Sequence, residues 1–158
     1  MKNGFDRIDD AILTSLQNNA RMSNKELAAA VGLAPSSCLE RVRKLQESGV
    51  LLGTTAKVDP VALGIGIQAF VQVELTRHLR EVVESFRTHV MTLPEVVAVY
   101  HVAGQSDFLV HVAVRDANHL RDLALDAFTT REEVSRIQTA LIYEHLSQTP
   151  LPNYRVED

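Results

Sequence analysis

Residues 23–45 read SNKELAAAVGLAPSSCLERVRKL and contain two short helical patterns separated by a turn. Ser23 and Glu26 have the S-x-x-E spacing of a capping box, which predicts the start of a helix. Gly32 is suited to end that helix, and Pro35 is suited to the first turn of the next one. Two helices joined by a short turn that contains glycine are typical of a helix-turn-helix motif, although a helical hairpin in any small bundle has the same spacing.

The helix that begins near Pro35 and is expected to end near Ser48 carries different residue types on its two sides. At about 100° per residue, its apolar side chains gather on one face that we expect to lie in the core. These apolar residues are Cys38, Leu39, Val42 and Leu45. The other face carries small hydroxyls and bases, which suit the base edges and phosphates of DNA. The residues predicted to contact DNA, two of them on the preceding helix, are Asn24, Lys25, Pro35, Ser36, Ser37, Glu40, Arg41, Arg43 and Lys44.

A further helix is expected upstream, from about Asp6 to Asn19, with Asp6 as its capping residue. The three helices predict a DNA-binding domain over residues 1–50. Residues 51–66 are predicted to form a strand, from Leu51 to Val58, and then a hinge linker that contains two glycines. Residues 64–69 fit the G-x-G-x-x-A fingerprint of dinucleotide-binding proteins, but an alternating strand pattern follows where that motif needs a helix.

The rest of the chain alternates in the order β-α-β-β-α-β, which is typical of a ferredoxin-like domain over residues 67–148. Strands are expected at 67–76, 96–102, 108–114 and 136–146, and helices at 79–93 and after Asp116. A tail that contains two prolines follows at 149–158. The predicted fold class is α+β, with a helical DNA-binding domain followed by the ferredoxin-like domain.

One face of such a four-stranded sheet is left uncovered by its two helices. We expect that face to carry too much apolar surface for water, so the sequence predicts a homodimer that pairs two sheets. The residues expected there are Phe70, Val97 or Ala98, Tyr100, Leu109 and Leu141.

Composition excludes several other classes of protein. The 158 residues are 46% hydrophobic and 23% charged, as in globular proteins. No apolar run is long enough for a membrane span, and the first dozen residues do not resemble a signal peptide, so we expect a soluble cytoplasmic protein.

The single cysteine, Cys38, excludes an internal disulfide and is expected to pack in the core. The net charge of −4 divides into +1 for residues 1–60 and −5 for the remainder, which suggests two segments with different partners.

The chain resembles the leucine-responsive/asparagine-responsive (Lrp/AsnC) family of transcriptional regulators. The resemblance lies in residues 23–27, 31–33 and 38–45, and it extends to residues 6–9 and to the turn with Gly104 and Asp107. It implies a winged helix-turn-helix that binds double-stranded DNA, a hinge, and a ferredoxin-like domain for effector binding and oligomerisation. It also implies dimers that assemble further, commonly into octamers, with a free amino acid bound between dimers. Where relatives often have a serine that caps the DNA-reading helix, this chain has Ala34.

The turn after the second sheet strand has chemistry that suits such an effector, although the same residues are ordinary turn formers. Backbone N–H groups near a glycine can bind an α-carboxylate, and an aspartate can bind an α-ammonium group. The predicted effector-binding residues are Gly104, Gln105, Ser106 and Asp107. We predict no other cofactor and no metal, because the histidines lack the spacing of metal ligands.

Two other functions fit part of the sequence. A stand-alone amino-acid-binding sensor or metabolic domain would account for the turn, but no catalytic constellation is present, so we predict that the protein is not an enzyme. A sheet-based RNA-binding protein would need aromatic side chains on its central strands, and only Tyr100 and Phe108 are near.

Overall fold

The structure is a computed structural model that describes residues 5–155, and it divides into two compact units. The first unit contains the described residues up to Lys57 together with those from Leu146 onward, and the second is Val58–His145. The C-terminal segment belongs to the first unit because it contacts α1, defined below. There the Leu151 N–H donates to Gln17 Oε1 at 2.9 Å, and the Arg155 guanidinium lies 4.6 Å from the centre of the Phe5 ring.

The first unit contains three helices, and each begins close to the residue at which the sequence predicts its start. They are α1 (Arg7–Asn18), α2 (Asn24–Ala30) and α3 (Pro35–Glu47). Asp6 caps α1, and Ser23 and Glu26 form the expected capping box on α2. Gly32 and Gly49 adopt positive φ just beyond α2 and α3, which ends each helix without the strain that a side chain would bring.

The core of the first unit lies between these helices. Its fully buried apolar residues are Ile12, Leu27, Ala28, Cys38 and Leu45. Cys38 is packed as expected, and burial raises the pKa of its thiol. The prediction for Leu39 was wrong, since this side chain is 58% exposed. Leu39 lies about 100° around α3 from Cys38, outside the sector that α1 and α2 cover.

The strand expected over Leu51 to Val58, which would form the wing, is absent from the structure. Residues of this segment are extended or irregular, Gly53 adopts a φ of 130°, and the Leu52 side chain is 93% exposed. A strand is defined by hydrogen bonds to a neighbouring strand, and the described part of the chain provides none for this segment. High strand propensity was therefore not sufficient here.

The second unit is a four-stranded antiparallel sheet with helices on one face. Its strands are β1 (Ile67–Leu75), β2 (Val96–His101), β3 (Phe108–Val114) and β4 (Val134–Leu141), in the spatial order β2-β3-β1-β4. The helices are α4 (Arg80–Val90) and α5 (Ala117–Leu123), and α5 continues into a π-helical turn, Ala124–Thr129. This is the β-α-β-β-α-β order expected, although β4 ends at Leu141 instead of continuing to residue 146.

The two faces of the sheet differ as their alternating residues predict. The helix-covered face contains the core of the unit, including the alternating buried residues Ala69, Val71, Val73, Phe108, Val110, Val112 and Val114, with Phe86, Val90 and Phe128 from the helices. The open face presents Phe70 and Tyr100, whose rings meet edge to face at 6.2 Å, beside Leu109 and Ala98.

Leu141 was wrongly expected on the open face. It is paired directly with Ala69, which points toward the helices, and directly paired residues lie on the same face of an antiparallel sheet. Phe108 also faces the helices and is fully buried, so this ring is not available on the open face to stack a base.

Gly66 precedes β1 at a point where two backbone segments approach closely. A Cβ atom at this position would lie 2.3 Å from the carbonyl oxygen of Arg115, and the Gly66 N–H donates to the carbonyl of Val114. A strand follows this glycine instead of a helix, so the rejection of the dinucleotide motif is confirmed.

None of the helices formed by residues 5–155 has the length and apolar character required to span a bilayer.

Candidate DNA interface and effector turn

The outward side of α3 carries most of the residues that the sequence predicts to contact DNA. Ser36 and Ser37 are exposed, and their hydroxyls have no hydrogen-bond partner within residues 5–155. Arg43 is paired with Glu47 at 2.7 Å and Lys44 with Glu40 at 2.9 Å, both one helical turn apart and exposed. Pairs of this kind contribute a few tenths of a kcal/mol, so a phosphate can replace the carboxylate partner at little cost.

The start of α3 is held against the start of α2 by Asn24. Its Nδ2 group donates to the carbonyl oxygen of Pro35 at 2.8 Å. Lys25, the next residue on α2, is exposed and forms no ion pair within the described residues. Ala34 occupies the capping position of α3 and gives it no side-chain hydrogen bond, and neither Ser36 nor Ser37 supplies one instead.

Arg41 has a different environment from the other bases of α3, because it lies against α1. Its Nη1 atom donates to Asp6 Oδ2 at 2.8 Å and to Asp9 Oδ1 at 2.9 Å. The hydrogen bond from the Asp9 backbone and the contact with Arg41 lower the pKa of Asp6, and the bonds to Asp9 and Asp6 raise the pKa of Arg41. These partners were not foreseen from the sequence, in which Asp6 was assigned only as the capping residue of a helix.

The turn between β2 and β3 contains the four predicted effector residues, and Asp107 is its most connected member. Asp107 Oδ2 accepts a hydrogen bond from the Leu75 N–H at 2.7 Å, and Oδ1 lies 2.9 Å from His78 Nδ1. The Asp107 N–H donates to the carbonyl of Val73. Asp107 therefore fastens the start of β3 to the end of β1, a function that turn propensity alone did not predict.

The remaining residues of the turn are less constrained. Gly104 has a φ of 149°, and Gln105 is exposed, while Ser106 is half-buried. His78 is largely exposed, so its contact with Asp107 lies at the surface. Sequence reasoning missed His78 because it lies in the loop after β1, some thirty residues from the turn. No set of three or more His, Cys, Asp or Glu side chains within residues 5–155 is arranged to hold a metal ion.

A helix-turn-helix unit with an exposed basic helix, joined to a ferredoxin-like sheet unit, defines a class of DNA-binding regulators. Family models agree over most of the chain. The AsnC-type helix-turn-helix domain matches residues 5–46, and the Lrp/AsnC ligand binding domain matches residues 68–152. The chain belongs to the Lrp/AsnC family of transcriptional regulators.

Individual relatives match along nearly their whole length. The chain is 45% identical over 142 residues to the HTH-type transcriptional regulator AldR of Mycolicibacterium smegmatis, covering 90% of this chain and 83% of that protein. It is 37% identical over 145 residues to the leucine-responsive regulatory protein of Escherichia coli K12, covering 92% and 88%. A transcriptional regulator from Neisseria meningitidis, solved as a complex with L-Met, superposes with a TM-score of 0.85 at 31% identity, covering 94% and 96%.

These matches decide between the functions that the sequence left open. The protein is a DNA-binding transcriptional regulator and not an enzyme, as predicted. The predicted fold class, a helix-turn-helix domain followed by a sheet-and-helix domain, is confirmed. The strand predicted within residues 51–66, which would form the wing, is absent from the structure, whereas the three helices predicted within residues 1–50 are present.

Proposed function

We propose that the protein regulates transcription in the cytoplasm as a homodimer, or a larger assembly of dimers, whose α3 helices bind duplex DNA. The observation that carries this proposal is the exposed side of α3, where Ser36, Ser37, Arg43 and Lys44 point away from the core of their own unit. A dimer would place two such helices in successive major grooves, roughly 34–36 Å apart.

The proposed contacts divide by chemistry. Ser36 and Ser37 are short and lie in the first turn of α3, so they suit base edges, while Arg43, Lys44 and Lys25 suit phosphates. Glu40 accepts from Lys44 in the free protein and suits a cytosine amino group when that lysine moves to a phosphate. Asn24 and Pro35 complete the proposed surface by joining the starts of the two helices.

The phosphate contacts are tested by the salt dependence of binding. For Arg43→Ala with Lys44→Ala, a dimer loses four phosphate contacts, so the slope of log K against log salt should become shallower by roughly 3 to 4. Arg121→Ala is the matched control, because Arg121 is an exposed helical base of the second unit that pairs with Asp122. A slope that remains unchanged in the double variant contradicts the assignment.

We further propose that a free amino acid binds at residues 104–107. Support comes from the relative that was solved with L-Met and from the chemistry of the turn. Gly104 allows close approach to backbone N–H groups, Gln105 and Ser106 supply polar side chains, and Asp107 Oδ1 can exchange its surface contact with His78 for an ammonium group.

The effector is tested by a thermal-shift screen of the twenty amino acids on the full-length protein. A bound amino acid should raise the melting temperature of the native chain and of His78→Ala, but not of Asp107→Asn. The asparagine retains an oxygen that can accept from the Leu75 N–H, so the turn keeps its fold while it loses the negative charge. Equal stabilisation of the native chain and Asp107→Asn would remove Asp107 from the proposed site.

A further inference from the structure

At the start of α1, the carboxylates of Asp6 and Asp9 each accept hydrogen bonds from the backbone with one oxygen and from Arg41 with the other. Asp6 Oδ1 accepts from the N–H groups of Ile8 and Asp9, while Asp6 Oδ2 accepts from Arg41. Asp9 Oδ2 accepts from the Asp6 N–H, while Asp9 Oδ1 accepts from Arg41. The capping box that begins α1 is therefore also the structure that binds the arginine of α3.

Burial distinguishes this contact from the other ion pairs of α3. Asp9, at 8% exposure, is the only charged or polar residue that is buried among residues 5–155. A buried carboxylate is stable only when it is paired and hydrogen-bonded, so Asp9 requires Arg41. Arg43 and Lys44, in contrast, are paired with exposed carboxylates on their own helix and connect α3 to no other element.

The geometry also affects how α3 is oriented. Apolar contacts around Cys38 and Leu45 hold α3 against the unit, but the hydrophobic effect behind them is not directional. Charge-assisted hydrogen bonds from one nitrogen to two carboxylates are directional and strong. They join the first turn of α1 to the middle of α3.

We infer that Arg41 is a positioning residue, which with Asp6 and Asp9 forms an interhelical clamp that sets the orientation of α3 for reading DNA. This inference rests on the proposed contact between α3 and DNA, and it replaces the expectation that Arg41 binds a phosphate. Two carboxylates within 3 Å of its Nη1 atom neutralise the guanidinium and disfavour an approaching phosphate.

The two roles of Arg41 predict opposite effects for Asp9→Asn. If Arg41 bound a phosphate, removal of a nearby negative charge would strengthen DNA binding. If Arg41 is held in the clamp, the same change loosens α3 and weakens binding to a specific site. The number of phosphates contacted would not change, so the salt slope would stay the same.

The experiment uses the full-length protein and a duplex selected by it from a random library, with an unrelated duplex for comparison. Affinities are measured between 50 and 200 mM salt, at a temperature below the melting transition of every variant. For Arg41→Ala and Asp9→Asn we expect a loss of about tenfold for the selected duplex, little loss for the unrelated duplex, and an unchanged slope. The double variant should lose no more than Arg41→Ala alone, because Asp9→Asn weakens one of the two bonds that Arg41→Ala already removes.

Two further variants separate this inference from the proposed DNA contact. Arg41→Lys keeps the charge and a donor, so it should recover part of the lost discrimination between the two duplexes. Arg43→Ala should flatten the slope by roughly 2 per dimer, and failure there would count against the DNA-contacting face itself. The clamp is overturned if Arg41→Ala flattens the slope as much as Arg43→Ala does, if Asp9→Asn raises the affinity, or if neither variant changes discrimination.

Discussion

Asp6 is the residue whose titration should have the clearest effect on the stability of the first unit. Its pKa is lowered in the folded state by the Asp9 N–H and by Arg41, so the unfolded chain takes up this proton first. Its stabilising effect is therefore present above the ordinary value of 3.8 and is lost as the pH falls through the lowered value. Glu26 of the α2 capping box has a pKa shifted in the same direction by Ser23.

We expect Asp6→Asn to melt below the native protein at pH 6, and the difference should narrow as the pH falls below 4. Thermal melts followed by circular dichroism at pH 6, 4 and 3 would measure this. Asp126→Asn is the control, since Asp126 is an exposed acid in the second unit. If the melting temperatures of the native protein and Asp6→Asn differ by the same amount at all three pH values, protonation of Asp6 is not the cause of the loss of stability in acid.

At the residue scale, the sequence identified functional residue types better than their partners. Asp6 was recognised as a helix cap and Asp107 as a turn residue, and both assignments agree with the structure. Each carboxylate also has a partner about thirty positions away in the chain: Asp6 contacts Arg41, and Asp107 contacts His78. Short-range spacing contains no information about such pairs, because they depend on how the elements pack.

At the scale of single elements, α3 begins without a side-chain cap. Ala34 has an extended backbone, with φ −66° and ψ 143°, which a serine can adopt without strain. We expect Ala34→Ser to stabilise the first unit by about 1 kcal/mol, because the hydroxyl can accept from an otherwise unpaired N–H of the first turn. Urea unfolding of the full-length protein would measure the gain.

The matched control for this cap is Ala29→Ser. Ala29 is exposed and lies inside α2, where serine has lower helix propensity than alanine and has no end to cap. This variant should be neutral or slightly destabilising. If both serine variants change stability by the same amount and in the same direction, the effect does not come from capping.

A second element-scale prediction concerns the start of β1. Gly66→Ala would place a methyl group within 2.3 Å of the Arg115 carbonyl oxygen, so the strand must move or lose its first hydrogen bonds. We expect a loss of about 2 to 3 kcal/mol of stability, confined to the second unit. Hydrogen exchange should show faster exchange in β1 and β3, with α1 to α3 unaffected. If the Ile67 N–H exchanges as slowly in Gly66→Ala as in the native protein, the backbones at residues 66 and 115 can move apart without loss of stability.

Helices were predicted more accurately than strands, for a physical reason. A helix is formed by local hydrogen bonds, so residues such as Ser23, which caps α2, and Pro35, which begins α3, define its limits within the segment itself. A strand depends on a neighbour, which explains why Leu51 to Val58 has the composition of a strand without being one. Register has the same dependence, since only the pairing of Leu141 with Ala69 reveals which face that leucine occupies.

For the whole molecule, the open face of the sheet is the surface on which the proposed dimer depends. Phe70, Tyr100 and Leu109 form its apolar centre, and His111, which accompanies them, has a pKa lowered by burial and is hydrogen-bonded to Gln68. A neutral imidazole and aromatic rings are compatible with contact against a second copy of the same face. Two sheets paired in this way would bury apolar area that neither α4 nor α5 covers.

Tyr100→Glu should therefore reduce the assembly toward monomers, because it places an unpaired charge in the proposed contact. Leu125→Glu is a close control, since Leu125 is 51% exposed against 49% for Tyr100 but lies on the helical side of the sheet. Sedimentation velocity of both variants and the native protein measures the result. Tyr100→Glu should also bind its selected duplex more weakly, because two linked α3 helices bind with an avidity that a single helix lacks. If Tyr100→Glu sediments like the native protein while Leu125→Glu dissociates, the dimer is formed by the helices and the open face has another role.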